Sequence, residues 1–235
     1  MRSIKQAVIL AGGLGTRLRP LTLTTPKPMV LINETPFLSY MFDLLKKNGI
    51  REVIILVGYL HEKIEEYFKD GRKFGMSLQY SFSPIEAKTG TRLKKAKHLL
   101  DDNFLLLYGD NYWPLNLSNL VDFYKKMKKK ASVVAYHNTA DITQHNMFID
   151  TKGLVRIYDK SRTAKKLNGL DIGFFLLEKS ILTNLPDDNF SFEEVIIPRL
   201  IEQKELAGFL TDEKYYALSN PSRILIIEDY FKSKS

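Results

Sequence analysis

The stretch Ala7–Val30, reading AVILAGGLGTRLRPLTLTTPKPMV, constrains this chain more than any other. The apolar run Ala7–Leu10 predicts a buried strand, and Gly12, Gly13 and Gly15, followed by Thr16 and Arg17, predict a glycine-rich turn at its end. Such a turn can wrap phosphate. Glycines remove the Cβ atoms that would hold a polyanion away, so consecutive backbone N–H groups can face inward as an anion nest. Arg17 and Lys27 add mobile positive charge.

Two common phosphate loops do not fit these residues. A P-loop needs Gly-Lys-Ser/Thr, whereas Gly15 is followed by Thr16-Arg17; the dinucleotide fingerprint needs a third glycine where Leu18 stands. The longer string GGLGTRLRPLT, with PKPM at Pro26–Met29, resembles instead the signature of the sugar-phosphate nucleotidyltransferases. These join a nucleoside triphosphate to a sugar 1-phosphate and release pyrophosphate. The resemblance implies nucleotide contacts from Leu10, Ala11, Gly12, Gly13, Gly15, Thr16 and Arg17, with Arg17 and Lys27 neutralising phosphate charge.

Downstream, helical and strand patterns alternate. Phe37–Asn48 has helical spacing with Gly49 as its stop, Glu52–Val57 is a buried apolar strand, His61–Lys69 is helical, and Leu78–Ser81 is a short strand. Thr91–Leu100 and Leu120–Lys130 follow as helices, the latter within an amphipathic pattern starting at Leu117. Phe104–Tyr108 and Ser132–Tyr136 are strands. This alternation predicts an α/β fold with a doubly wound, mostly parallel sheet, whose ligands lie beyond the C-terminal strand ends. Gly12–Arg17 and Gly109-Asp110 both fall there.

An acidic residue just past a buried strand suits a hard cation, and Mg²⁺ binds through one or two carboxylates plus phosphate oxygens. Asp110 is therefore the expected metal ligand, as the family resemblance also implies. Ser83–Ala96, SPIEAKTGTRLKKA, resembles the family's base-recognition loop GTGGAL, with Lys88 and Arg92 in two small-residue positions; Ser83 and Thr89 are its candidate nucleotide contacts.

The later part reads as an acceptor-sugar region grafted onto the sheet, giving one domain, 1–235, with a nucleotide-binding core at 1–136 and a sugar-phosphate part with a C-terminal helix at 137–235. Met147–Asp150 and Val155–Tyr158 predict a hairpin. By resemblance, Asp159-Lys160 take the place of the family's Glu-Lys pair. Leu167–Leu177 matches its Asn-x-Gly strand, with Asp171 replacing an asparagine. His145 and Asn146 are further candidates for sugar hydroxyls. YYALSNP puts Ala217 where the family carries a second metal aspartate. Asp171 is the candidate replacement; the alternative is a cation held by Asp110, water and phosphate oxygens alone. The strings GDNYWP, YDKSR and LNGLDIGFF resemble a variant of the family, the nucleotidyltransferase portion of bacterial heptose-phosphate activation proteins. That implies GTP and a heptose 1-phosphate for surface-glycan synthesis, with mannose 1-phosphate, CTP or UTP as alternatives. A non-catalytic nucleotide-sugar sensor, consistent with Ala217, is the alternative of another class.

Composition narrows the partners. The chain of 235 residues is 44% hydrophobic, enough for a sizeable core, and contains no cysteine, which removes disulfides and thiolate metal sites. No apolar run approaches the ~20 residues of a membrane span and no secretory cleavage pattern is seen, so a soluble, cytoplasmic protein without membrane contact is expected. The net charge of +8 raises nucleic acid as a partner. The lysines at 125, 126 and 128–130, however, end an amphipathic pattern, and phosphorylated small substrates also account for basic excess. Nucleic acid is not expected; a homo-oligomer is left open.

Overall fold

In the computed structural model, which describes residues 4–137 and 144–234, the apolar runs assemble into one seven-stranded sheet. The strands are β1 (Gln6–Leu10), β2 (Glu52–Val57), β3 (Ser77–Phe82), β4 (Asn103–Tyr108), β5 (Ala131–Tyr136), β6 (Leu170–Glu178) and β7 (Leu206–Thr211). Their spatial order is β7-β5-β6-β4-β1-β2-β3. Every pairing is parallel except those of β6, which runs against both β4 and β5. Because β6 is reversed, its first residues lie at the same edge as the last residues of β1, β2 and β4. Asp171 therefore arrives beside Tyr108 and Asp110, at the end of β4, from the opposite chain direction.

Alternation along each strand sends side chains to two separate apolar layers. Ala7, Ile9, Leu105, Leu107, Phe174 and Leu176 pack on one face, with helices α1 (Phe37–Lys47) and α6 (Pro221–Lys232). Val8, Phe104, Leu106, Phe175 and Leu177 pack on the other, with α3 (Thr89–Lys95) and the segment Phe192–Glu202, which ends in α5 (Ile197–Glu202). A buried Leu, Ile or Phe contributes ~1.5–3 kcal/mol, so this double-sided core holds the strand ends rigidly in place. The remaining helices, α2 (His61–Phe68) and α4 (Leu117–Met127), follow the expected pattern. In α4, Asn116 caps the first turn by accepting from the Asn119 amide at 3.2 Å, which starts the helix three residues before Leu120.

Several expectations change. The region after residue 137 is not an addition to a finished sheet: it supplies β6, between β4 and β5, and β7 at the edge. β7, LAGFLT, lacks a continuous apolar signal because Gly208 leaves room for Ile149, which would stand 2.4 Å from a Cβ there. The helix expected at Thr91 starts at Thr89 and tightens into a 3₁₀ turn over Ala96–Leu99. The strand read at Leu167 begins at Leu170, and the hairpin partners are Met147–Ile149 and Val155–Tyr158. No helix among the described residues is long and apolar enough to cross a membrane.

Candidate active site

Two clefts open at the shared edge of the sheet. The first, about 340 Å³, is walled by Leu10, Ala11, Gly12, Gly13, Gly15, Thr16, Arg17 and Lys27, by Ala87–Thr89 across from them, and by Tyr108–Asp110. The second, about 520 Å³, is walled by Asn111, Asn146, Tyr158, Lys160, Arg162, Asp171, Glu193, Ala217 and Arg223. Arg17, Tyr108 and Asp110 border both. These residues mark the junction.

The glycine turn is shaped for an anion. Gly15 takes φ 62°, the left-handed region open to glycine, and starts the 3₁₀ turn Thr16–Leu18. The Thr22 hydroxyl donates to the Gly15 carbonyl at 2.8 Å, fixing that peptide. The amides of Gly13, Gly15 and Thr16 donate to no described residue. Arg17 is exposed and has no ion-pair partner among the described residues, leaving its guanidinium for incoming charge. Lys27 is held differently. It begins the 3₁₀ turn Lys27–Met29, and its ammonium clasps Asp110 Oδ2 in a tight ion pair.

Asp110 follows β4 at the turn before the ribbon Asn111–Tyr112, whose partner strand is Tyr216–Ala217. The Leu218 amide donates to the Asp110 carbonyl at 2.8 Å, so the YYALSNP segment is fastened directly behind the aspartate. Ala217 then stands on the wall of the second cleft with only a methyl group to offer.

Asp171, at the start of β6, faces that cleft. It accepts from the Tyr158 hydroxyl at 2.9 Å and from the Gly173 amide at 2.7 Å. Burial nevertheless pushes its pKa up to about 6 against those hydrogen bonds, with the charge of Glu193 adding to the rise. Asn146 positions the strand start by accepting from the Asp171 amide at 2.8 Å.

Glu193 was not anticipated. It accepts from Thr89 at 2.8 Å, from Ser191 at 2.7 Å and from the Tyr108 hydroxyl. Burial alone would raise its pKa, but these hydroxyls hold the carboxylate below its ordinary range. The same contact, after burial itself, drives the Tyr108 pKa far up, so Tyr108 remains a neutral donor at the junction. Glu193 sits in a short π-helical turn, Phe192–Ile196, capped by Ser191. Its only sequence signal is Ser191 two residues before a glutamate.

The structure divides the remaining candidates. Lys160 lines the second cleft, 3.6 Å from Glu194, which also lies 3.7 Å from Lys88. Asp159 does not line it: its carboxylate turns back to accept from the amides of Ser161, Thr163 and Ala164, each at 2.8 Å. Asp159 is an organiser of the turn carrying Lys160 and Arg162. Ser83 lies off the wall of the first cleft, with its hydroxyl buried and unpartnered. Thr89 does line that cleft, yet its hydroxyl already joins Glu193 and accepts from the Phe192 amide at 2.9 Å. His145 pairs Nδ1 with the Leu167 carbonyl at 3.2 Å and borders neither cleft. Arg162 ends the string YDKSR but was not singled out, Arg223 lies beyond YYALSNP, and only folding shows both beside Lys160.

Among the described residues, no three His, Cys, Asp or Glu side chains form a group able to hold a metal ion. Asp110 and Asp171 nevertheless present carboxylates to one cavity, and Asp110 Oδ1 has no partner among the described residues. An all-oxygen donor pair of this kind fits Mg²⁺, which retains water and takes phosphate oxygens readily.

The chain is similar to known proteins along nearly its whole length. Residues 6–216 match the family model described as nucleotidyl transferase. The chain is 33% identical over 228 residues to a D-glycero-alpha-D-manno-heptose 1-phosphate guanylyltransferase of Campylobacter jejuni, covering 96% of this chain and 92% of that one. It is 30% identical to the protein of the same name from Aneurinibacillus thermoaerophilus, covering 97% and 96%. The crystal structure of HddC from Yersinia pseudotuberculosis superimposes with a TM-score of 0.84 at 24% identity over 97% of this chain and 100% of that one, which establishes the shared fold. A second structure of HddC, complexed with GMP-PN, gives 0.81.

Proposed function

This chain belongs to the nucleotidyl transferase family, and on that premise we propose that it transfers a nucleoside monophosphate, from GTP, to D-glycero-D-manno-heptose 1-phosphate and releases pyrophosphate. The observation that carries the reading is the junction of two clefts on Arg17, Tyr108 and Asp110. A glycine turn with free amides suits a triphosphate, and a cleft with Lys160, Arg162 and Arg223 suits a sugar phosphate. Their meeting point is where an α-phosphorus and an attacking phosphate oxygen would be brought together.

The chemistry needs no protein nucleophile. Holding two anions in line converts a bimolecular encounter into an oriented one, and fixed positive groups offset the charge that develops on the leaving pyrophosphate. In this reading the amides of Gly13, Gly15 and Thr16 bind the triphosphate, Arg17 spans both substrates, and Lys27 holds Asp110 until phosphate arrives. Lys160 and Arg162 bind the acceptor phosphate, and Asn146 fixes the start of the strand bearing Asp171. Asp110 and Asp171 would hold Mg²⁺, which when bound neutralises phosphate oxygens as a Lewis acid.

The guanine base and the heptose are carried by the named relatives. The test is pyrophosphate release with each of the four ribonucleoside triphosphates against heptose, mannose and glucose 1-phosphates in the presence of Mg²⁺. The pair GTP and heptose 1-phosphate is expected to give the highest kcat/KM. Mannose 1-phosphate as the best acceptor would overturn the heptose assignment, and no release with any pair would overturn the enzyme.

A further inference from the structure

Helix α3 departs from the family pattern at Arg92, and the guanidinium has gone inward. Arg92 is 4% exposed. Its Nε donates to the Ala87 carbonyl at 2.9 Å and its Nη1 to the Val57 carbonyl at 2.7 Å. Its Nη2 is shared by the carbonyls of Pro84 at 3.0 Å, Ile85 at 3.2 Å and Gly12 at 3.2 Å. No carboxylate pairs with it among the described residues. One planar cation therefore gathers three separate segments: the glycine turn after β1, the end of β2, and the loop after β3.

The glycines nearby explain themselves by the same contact. A Cβ on Gly12 or on Gly58 would stand 2.4 Å from Arg92 Nη1, and neither glycine has a positive φ. Space, rather than backbone conformation, requires glycine at both positions. The far end of an arginine would ordinarily swing aside, but this one is pinned by five carbonyls. Gly12 thus serves the guanidinium as well as any phosphate.

We propose that Arg92 is a positioning residue for the nucleotide: its guanidinium sets the distance between the phosphate-binding turn at Gly12 and the loop Ile85–Ala87 across the first cleft. Ile85, Ala87 and Arg92 itself line that cleft, and the carbonyls of Ile85 and Ala87 accept from the Arg92 guanidinium. In place of small residues packed closely, this chain uses a buried cation to draw the same segments together. The inference rests on the first cleft being the nucleotide site. A lysine, a point charge with three donors on one nitrogen, cannot span five carbonyls set around a plane.

The test measures binding of the preferred triphosphate by calorimetry, and the KM of each substrate, for the wild type, Arg92→Ala, Arg92→Lys and Gly58→Ala. Each substitution is expected to weaken triphosphate binding about tenfold or more, as for loss of hydrogen bonds to a charged group, while the KM for the sugar 1-phosphate changes less than about twofold. Guanidinium chloride at a non-denaturing concentration should restore binding to Arg92→Ala, and equal potassium chloride should not. Gly58→Ala should add no further loss in the Arg92→Ala background, because the clash partner is gone. If the Arg92 variants do not fold, Gly58→Ala alone decides, since its φ suits alanine. Unchanged triphosphate binding in Gly58→Ala, or equal losses for both substrates, would overturn the inference while leaving the function intact. A wild-type protein that binds none of the four triphosphates would overturn the functional reading and this inference with it.

Discussion

The two clefts are built by different rules. The first takes the largest single share of its wall from one short run, Leu10–Arg17, because phosphate recognition uses neighbouring amides and small residues that lie close together in sequence. The second collects Asn111, Asn146, Tyr158, Lys160, Arg162, Asp171, Glu193, Ala217 and Arg223, brought together only by the reversed strand β6 and the ribbon behind Asp110. A site read by backbone can be local; a site read by side-chain charge and hydroxyls has to be assembled. The expectation is that damage to the first cleft acts on phosphate charge directly, whereas damage to the second acts through neighbours.

The sharpest break is at the junction. Arg17→Ala and Lys27→Ala should each lower kcat by ~10²–10³, the usual cost of one preorganised group facing developing charge, with unchanged far-ultraviolet circular dichroism. Lys27→Ala also removes a cation that competes for Asp110, so a fall in the Mg²⁺ requirement should separate it from Arg17→Ala. Near-normal turnover in both variants would remove the first cleft from the chemistry.

The second cleft can be tested at Asp171. If it shares the cation with Asp110, Asp171→Asn should raise the Mg²⁺ needed for half-maximal turnover by about tenfold, in line with the loss of a metal-supporting group, while triphosphate binding without sugar phosphate changes little. An unchanged Mg²⁺ titration makes Asp171 a sugar-hydroxyl ligand instead. The metal-free protein adds a stability readout. The folded-state pKa of about 6 lies above the ordinary 3.8, so the contribution of this group is present at low pH and lost as pH rises through 6. Asp171→Asn should therefore raise Tm relative to the wild type at pH 7.5 and match it near pH 4.

How much of this was legible follows from the same contrast. The strand-and-turn signature placed the first cleft, and the alternating patterns placed β1 to β5, because buried parallel strands are short apolar runs between helices. β7 was hidden by Gly208 and by its edge position, and Glu193 by a π-helical turn whose glutamates look like ordinary surface charge. Arg92 was legible as a departure from pattern but not as a buried group, since only the fold shows which way a long side chain turns. Asp159 was the reverse case. Its position suggested a sugar contact, but its neighbours Ser161, Thr163 and Ala164 offered nearer donors.

Glu193 ties the clefts together through Thr89 on one side and Tyr108 at the junction. Glu193→Gln replaces an acceptor of three hydroxyls with a group that must also donate, and should cost ~1–3 kcal/mol of stability at neutral pH, measured by urea unfolding. The sign with pH opposes that of Asp171. Its folded pKa is below the ordinary 4.5, so its contribution is present above that value and lost as pH falls. The difference between wild type and Glu193→Gln should shrink toward acid, and a constant difference from pH 7.5 to pH 3 would show that the carboxylate is not what these hydroxyls hold.

The smallest effect is expected at Asp159, where the two clefts differ most plainly in kind. The residue is half-buried, and the hydroxyl and amide of Ser161, with the amides of Ala164 and Thr163, hold its pKa below the ordinary carboxylate range. The group stabilises the turn above that range and releases it as pH falls. An asparagine keeps one acceptor oxygen and caps such turns nearly as well, so Asp159→Asn should raise the KM for the sugar 1-phosphate only about two- to threefold, through slight loosening of the turn bearing Lys160 and Arg162. Lys160→Ala, which removes a charge facing the phosphate itself, should raise the same KM by at least tenfold. Equal effects would mean that Asp159 meets the sugar directly in the working enzyme. A large loss at Asp159 with none at Lys160 would mean that the turn, and not its cations, is what the acceptor recognises.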